Sequence, residues 1–289
     1  MSELEFDAII ETALREDMPA GDITSESIVP GGAVSEAVLL AKEEGVLAGL
    51  PVACRVFEIV DRDIVFHSEF ADGQSVKKDD VLARLKGPTV SLLKAERTAL
   101  NFLQRLSGIA TTTRRFVEAA AGTKARILDT RKTTPGLRLL EKYAVRMGGG
   151  TNHRLGLSDM VLIKDNHLRH VGSIGEAVRR ARAKVPAGIK VEIEVASVAE
   201  VRDALSAGAD IIMLDNMTLA RMRQAAGFVR AHRQAFRTRR PITEASGGVT
   251  PDQLARIAAT GVDTISLGML THSAPAADFA MDVCEGRKR

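Results

Sequence analysis

The sequence predicts an α/β protein whose larger part is a parallel (β/α) barrel. Three observations carry this reading. From about Ala125 onward, short β-branched runs alternate with amphipathic segments, and strand–helix–strand repetition joins its strands in parallel. The runs are apolar on both faces, as strands covered by helices on either side must be. About six of them fit within roughly 150 residues, a density that favours closure into a barrel over an open sheet.

The first hundred residues read differently. Runs such as EAVLLAKEEGVLAGL and DIVFHSEFADGQSVKKDDVLARLKG, broken by Gly and Asp turns, predict antiparallel strands. Within the second run, DGQSVKKDDVLARL resembles the turn-rich hairpin of a carrier-protein sandwich, but no lysine sits at a carrier attachment motif, so its role is structural. SLLKAERTALNFLQRLSGIATTTRRFVEAAA then keeps helical spacing, with Gly108 as a break between two helices. The later strands are Ala125–Asp129, Met160–Lys164, Lys190–Val195, Asp210–Asp215, Ile242–Ser246 and Thr264–Gly268. Between them, SIGEAVRRARAKV, SVAEVRDALSAGA, TLARMRQAAGFVRAHR and TPDQLARIAATGV place apolar residues three and four apart. Thr250 followed by Pro251 is the clearest helix start. The closing EGRKR reads as a frayed, solvated tail.

Composition excludes several classes. With 45% hydrophobic and 27% charged residues over 289 positions, the chain has enough apolar side chains for a sizeable core and too few for a membrane protein. Cys54 and Cys284 lie far apart and match no metal or redox spacing, so disulfides are not expected. The start, MSELEFDAII, lacks the basic region and apolar run of a signal peptide, and no stretch approaches a bilayer crossing. A cytoplasmic protein without a membrane partner is therefore expected. The net charge is +3, but residues 126–169 carry nine Lys/Arg against four Asp/Glu, so the positive charge is local. That stretch has a single aromatic, Tyr143, and no nucleic-acid module, which points to an anionic small molecule rather than to nucleic acid.

The residues at and just past the end of each strand are the informative feature. ARILD runs into Thr130-Arg131-Lys132, MVLIK ends on Lys164, KVEIEV carries Glu192 and Glu194, DIIMLD ends on Asp215-Asn216, ITEAS runs into Ser246-Gly247-Gly248, and TISLG ends on Gly268. In a parallel barrel these carboxyl ends open onto one face, where residues distant in sequence converge. Any one such charge is most simply a solvated loop residue; six together describe a pocket. Cations Arg131, Lys132 and Lys164 suit phosphate or carboxylate, acids Glu194 and Asp215 suit Mg²⁺ or sugar hydroxyls, and glycine turns suit a terminal phosphate. His153 and Arg154 come after the Gly148–Gly150 run inside the basic stretch. With Arg131 they offer several charge-assisted donors, a set suited to a dicarboxylate.

In sequence order, ERTALNFLQRLSGIAT, DTRKTTPGLRLLEKYAV, GGGTNHRLGLSDMVLIKDNH, VEIEV, DIIMLDNM, EASGGV and GVDTISLG resemble the quinolinate phosphoribosyltransferases. The matched segments span about Glu96 to Ser273, and the N-terminal REDMPAGDIT is also similar. The resemblance implies transfer of the phosphoribosyl group of phosphoribosyl pyrophosphate (PRPP) to quinolinate with decarboxylation, giving nicotinate mononucleotide. It also implies an N-terminal α/β sandwich domain, an incomplete (β/α) barrel, Mg²⁺, and a homodimer, alone or further assembled, whose active site is shared between subunits. The division is 1–110 for the first domain, rejoined by 272–289, and 111–271 for the barrel. Carried over residue by residue, Arg131, His153 and Arg154 hold quinolinate, Lys132 lies between the two substrates and is a candidate proton donor, and Arg97 comes from the neighbouring subunit. Lys164, Glu194 and Asp215 serve the ribose and pyrophosphate of PRPP, the two acids through Mg²⁺ by direct or indirect contact, and Ser246, Gly247 and Gly268 serve its 5′-phosphate. Met147 and Ala196 depart from the family pattern without removing a ligand.

Two rivals share parts of this pattern. A relative acting on a monocarboxylate such as nicotinate would leave buried cations unpaired, at a cost of several kcal/mol. A non-catalytic phosphosugar sensor would not need Lys164, Glu194 and Asp215 together.

Overall fold

The structure is a computed structural model and describes residues 6–238 and 240–284, so the EGRKR tail lies outside the described residues. In chain order its elements are α1 (Asp7–Asp17), α2 (Ile23–Ile28), β1 (Val34–Ala41), β2 (Gly45–Val46), α3 (Leu50–Val60), β3 (Val65–Ser68), β4 (Ser75–Val76), β5 (Val81–Pro88), α4 (Thr89–Ala119), β6 (Arg126–Leu128), α5 (Arg138–Met147) and β7 (Val161–Ile163). Next come α6 (Asp165–Val171), α7 (Ile174–Lys184), β8 (Val191–Val195), α8 (Val198–Ala207), β9 (Ile211–Asp215), α9 (Leu219–Phe236), β10 (Ile242–Ser246), α10 (Pro251–Ala258), β11 (Thr264–Ser266), α11 (Met269–His272) and β12 (Phe279–Cys284). Among the described residues no helix is long and apolar enough to cross a membrane. The chain forms two compact units. One gathers residues up to Arg114, Thr134–Gly149 and the chain from Ser273; the other holds Arg115–Thr133 and Gly150–His272. The segment Thr134–Gly149, which contains α5, thus clusters with the first unit, although a linear division places it inside 111–271.

The first unit is built on an antiparallel sheet of order β12-β1-β5-β3. Strand β1 alternates: Ala37, Leu39 and Ala41 are buried while Glu36 is exposed, which gives the sheet one apolar face. Its neighbours are fixed by the pairs Val38↔Asp282 and Val38↔Arg84. Two sequence expectations change here. DGQSVKKDDVLARL is no simple hairpin, because β4 pairs with β2 through Gly45↔Val76 while β5 pairs with β1 and β3. Gly108 does not break a helix either: α4 runs unbroken from Thr89 to Ala119. A Cβ at Gly108 would lie 1.9 Å from the Pro275 carbonyl oxygen, so the glycine is there to let another main chain approach. Helices α1, α2 and α3 add to what the apolar spacing predicts. Helix α3 is capped by Asp72, whose carboxylate accepts the Gly49 and Leu50 N–H groups at 2.7 and 3.1 Å.

The second unit is a six-stranded sheet, wholly parallel, in the order β6-β11-β10-β9-β8-β7. All six predicted strands are present, most of them shortened by a residue or more at one or both ends. Helices α7, α8 and α9 start on Ser173, Ser197 and Thr218, whose hydroxyls accept N–H bonds in the first turn. Strand β9 is buried at Ile211, Ile212, Met213 and Leu214 in succession, on both faces, as the apolar runs predict. Side chains from β8 and β10 meet the same imidazole although β9 lies between them, so the sheet is strongly concave. Edge strands β6 and β7 do not pair with each other; an isolated parallel bridge joins Leu128 to Thr151 instead. The barrel is incomplete at that seam.

At the amino ends of the strands, Asp263 collects Lys124 Nζ (2.7 Å), Arg233 Nη2 (2.6 Å), and the Thr243 N–H and hydroxyl (2.8 and 2.9 Å). Burial opposes the carboxylate charge, but these donors outweigh it and hold its pKa well below the usual range. A folded-state pKa below the unfolded value contributes stability that is present above the unfolded value and lost as pH falls through the folded one. Asp263→Ala should therefore lower the unfolding free energy at neutral pH by about 3 kcal/mol or more. In urea titrations from about pH 5 downward, the wild type should lose stability faster than the variant, because only the wild type has this contribution to lose.

Candidate active site

Side chains two apart on a strand share a face, so a strand that lines a cavity does so with alternate residues. Leu162 and Lys164, Met213 and Asp215, Glu244 and Ser246, and Ser266 and Gly268 all line one cavity, as does Glu194. Glu192, the partner of Glu194 on β8, is fully buried beneath. Strand registers bring Glu194 level with Met213 and Ser246 level with Asp215. The levels step round the sheet: Glu194, Met213 and Glu244 share one level, and Asp215 and Ser246 stand two residues higher. The cavity encloses about 880 Å³, room for two small substrates.

Arg131, Lys132, His153, Arg154, Lys164, Glu194, Asp215, Ser246, Gly247 and Gly268 all line this one cavity. Arg97 belongs to the first unit, where it is exposed on α4. Arg131 and Lys132 come after β6 in a turn where the Thr130 hydroxyl accepts the Lys132 N–H at 3.0 Å. The Thr271 hydroxyl donates to the Lys132 carbonyl at 2.7 Å. The Lys132 stem lies against Gly268, where a Cβ would come within 2.7 Å of its Cδ. Lys164 sits between β7 and α6, its Nζ 3.5 Å from Glu194 Oε2. Burial raises the Glu194 pKa, Lys164 lowers it, and Asp215 raises it again, so the two acids are near enough to repel.

The seam between β6 and β7 is filled by residues 151–154. Buried Asp129, just past β6, accepts Asn152 Nδ2 at 2.6 Å and the His153 N–H at 2.8 Å. Arg154 reaches back through Nη1 to the Met160 carbonyl at 3.1 Å. Its pKa is lowered by burial and then by the positive charge of Arg131. His153 Nε2 lies 3.1 Å from Glu192 Oε2 and 3.4 Å from Glu244 Oε1. Burial pulls the imidazole pKa down, yet the two carboxylates more than offset it and lift it to about 10. Burial and Glu244 together push Glu192 up to about 7. His153 and Glu192 thus keep protons that isolated groups would release.

Residues 109–282 match the family described as quinolinate phosphoribosyl transferase, C-terminal domain, and residues 22–107 match its N-terminal domain. The chain belongs to the quinolinate phosphoribosyl transferase family. A Bacillus subtilis relative, named probable nicotinate-nucleotide pyrophosphorylase [carboxylating], is 44% identical over 283 residues, 98% of this chain and 95% of its own. The Mycobacterium leprae nicotinate-nucleotide pyrophosphorylase [carboxylating] is 41% identical over 98% of this chain and 100% of its own. The crystal structure of NadC from Streptococcus pyogenes superposes with a TM-score of 0.92 at 41% identity, covering 99% of each chain. Within this quinolinate phosphoribosyl transferase fold, sequence reasoning reaches the residues just past the strand ends and misses others. Glu244, Asp129 and His272 are not among the residues it selects, although His272 lines the cavity and Glu244 stands in ITEAS two residues before a selected serine.

Gly247 adopts φ +93°, and a Cβ there would lie 2.3 Å from Asn216 Oδ1. Asn216 in turn donates to Asp215 Oδ2 at 2.8 Å. Gly247→Ala should cost about 1–2 kcal/mol in urea unfolding through backbone strain, and its activity should fall by more than the stability loss accounts for, because Asp215 loses its neighbour.

Proposed function

We infer that this chain transfers the phosphoribosyl group of PRPP to quinolinate with loss of carbon dioxide, giving nicotinate mononucleotide and pyrophosphate for cytoplasmic NAD biosynthesis. The observation that carries this reading is the division of one cavity into a pair of guanidiniums, Arg131 and Arg154, and a pair of carboxylates, Glu194 and Asp215. Planar guanidiniums bind carboxylates through two parallel bonds, which suits the dicarboxylate, while the acids and the glycine turns suit the phosphosugar.

The chemistry comes from charge. The bond from C1′ to pyrophosphate breaks as the pyridine nitrogen bonds to C1′, and positive charge develops on the sugar. Lys164 and Lys132 face the departing oxygens, so their cations offset the charge that accumulates there. Once the ring nitrogen carries positive charge, the C2–carboxylate bond breaks, its electron pair stays at C2 beside that nitrogen, and a proton takes the place of carbon dioxide. Positioning and electrostatics suffice, and no covalent nucleophile is invoked. Glu194 and Asp215 offer hard oxygen donors and repel one another, a set that fits Mg²⁺. When bound, that ion would neutralise phosphate charge. We place Arg97 in the site of a partner subunit of a homodimer, in keeping with the family to which the chain belongs.

Incubation with quinolinate, PRPP and Mg²⁺ should release equimolar nicotinate mononucleotide, pyrophosphate and carbon dioxide, while nicotinate in place of quinolinate should give little product. Absence of decarboxylation with quinolinate would refute the reading. Glu194→Gln and Asp215→Asn should depress turnover strongly yet leave quinolinate affinity, measured by calorimetry, within about tenfold, or 1.4 kcal/mol. Mixing the inactive Arg97→Ala and Lys164→Ala chains under conditions that exchange subunits tests the shared site. Half the dimers then contain one intact site of two, so activity should recover to roughly a quarter of wild type; with exchange verified by native mass spectrometry, no recovery would mean that Arg97 acts within its own chain.

A further inference from the structure

Sequence reasoning makes His153 a donor to the substrate, yet one nitrogen of its ring is hydrogen-bonded within the protein and the other faces two buried carboxylates. The Arg154 backbone N–H donates to Nδ1 at 2.8 Å, and Nε2 faces Glu192 and Glu244 at 3.1 and 3.4 Å. An N–H aimed at Nδ1 needs a lone pair there, so the ring proton is on Nε2. With Nδ1 occupied as an acceptor, the additional proton that burial favours in this cluster resides on Glu192, whose pKa is pushed up to about 7. His153, Glu192 and Glu244 are residue types that could hold a metal ion, but a metal would require the Nε2 lone pair, and the Arg154 amide leaves that nitrogen carrying hydrogen.

Residue 153 is thus pinned at three points. Asp129 from the end of β6 accepts its N–H, the Arg154 amide donates to Nδ1, and the carboxylates of β8 and β10 stand at ion-pair distance from Nε2 without forming a well-angled hydrogen bond. The side chains of His153, Glu192 and Glu244 are 7%, 0% and 1% exposed, so little water is at hand to replace a lost partner. The charged groups that act on this cluster are the two glutamates, Asp129, and the guanidiniums of Arg154 and Arg131; Glu192 also acts directly on the Arg154 charge. The ring therefore stands between a buried pair of glutamates and the main chain of the residue whose guanidinium lines the cavity.

We propose that Glu192 and Glu244 are positioning residues for the base pocket: through the buried negative charge they set against the Nε2–H of His153 they hold its ring against the Arg154 main chain and so aim the Arg154 guanidinium at a carboxylate of the aromatic substrate. The assignment rests on the reaction inferred above. His153 acts in it as a strut, and Arg154 is the residue that touches substrate. Losing the carboxylates frees the ring to turn and lets Arg154 drift, whereas Glu194 keeps Lys164 beside it and Asp215 keeps Asn216. The defect belongs to quinolinate alone.

The test is steady-state kinetics of Glu192→Leu, Glu244→Leu and Glu192→Gln, with quinolinate and PRPP varied separately, beside long-range ¹⁵N–¹H spectra of the ligand-free wild type in which His153→Gln assigns the signal. In both Leu variants KM for quinolinate should rise about tenfold or more while KM for PRPP stays within about twofold, since a misplacement of about 1 Å can cost that much. Glu192→Gln keeps an acceptor oxygen and should recover most of the lost affinity. The wild-type spectrum should show hydrogen on Nε2 and a bare Nδ1. Equal rises in both KM values, no rise, or a protonated Nδ1 would overturn the proposal. Should thermal melts show that the Leu chains do not fold, the wild-type spectrum and the Gln variant decide. A wild type that makes no nicotinate mononucleotide from quinolinate would sink the reaction itself, and the spectrum would still judge the strut.

Discussion

In a parallel sheet every strand points its carboxyl end the same way and repeats its side-chain direction every two residues. The candidate site depends on that constraint throughout. Because β8, β9, β10 and β11 are in register through Glu194↔Met213, Ser246↔Asp215 and Glu244↔Thr264, a residue at a strand end is ringed by its counterparts on neighbouring strands. The residue two earlier is ringed in the same way, one layer deeper. Glu194 thus stands level with Met213 and Glu244, and Asp215 and Ser246 one step higher, so exposure rather than level divides the ligand-facing charges from the buried ones. An exposed charge meets solvent and ligand, whereas a buried one must find its partner within the protein.

The seam between β6 and β7 is where ligand-facing and buried groups are joined by something other than a strand. Residues 151–154 fill it, held by a single isolated bridge and by the buried carboxylate of Asp129. A regular strand there would fix its side chains by ladder bonds alone. The irregular segment instead relies on Asp129, Glu192 and Glu244, which allows His153 to point down and Arg154 to be presented at the cavity. Irregular backbone at this point lets two successive residues serve different partners, which strict alternation across a strand would not permit.

Much of this is legible in the sequence because it is periodic. Apolar spacing reveals the barrel strands and the helices α7 to α10, and the polar group after each strand reveals the ligand-facing residues. Particular failures have physical causes. Gly108 reads as a helix break because glycine lowers helix propensity, but its reason lies in a main chain far along the sequence, at Pro275. Strand β4 reads with β5 because they are adjacent, and its actual partner, β2, is set by tertiary packing. Glu244 escapes notice because a single acid inside ITEAS gives no sign of facing an imidazole from another segment. Asp129 likewise reads as an ordinary strand end, and only the buried bonds to Asn152 and His153 reveal its use.

The first unit also carries a consequence for how the chain is made. Its central strand β1 is bonded on one side by β12, which lies more than two hundred residues later, and α5 joins the same unit from between two barrel strands. During synthesis, β1 emerges early and waits with an open edge until nearly the whole chain has been translated, since no earlier strand occupies that position. Such late closure raises the mean sequence separation of native contacts and slows folding. The barrel between must therefore form while the sheet that precedes it is still unfinished, and a ribosome-stalled fragment ending before Phe279 would expose that edge to other nascent chains.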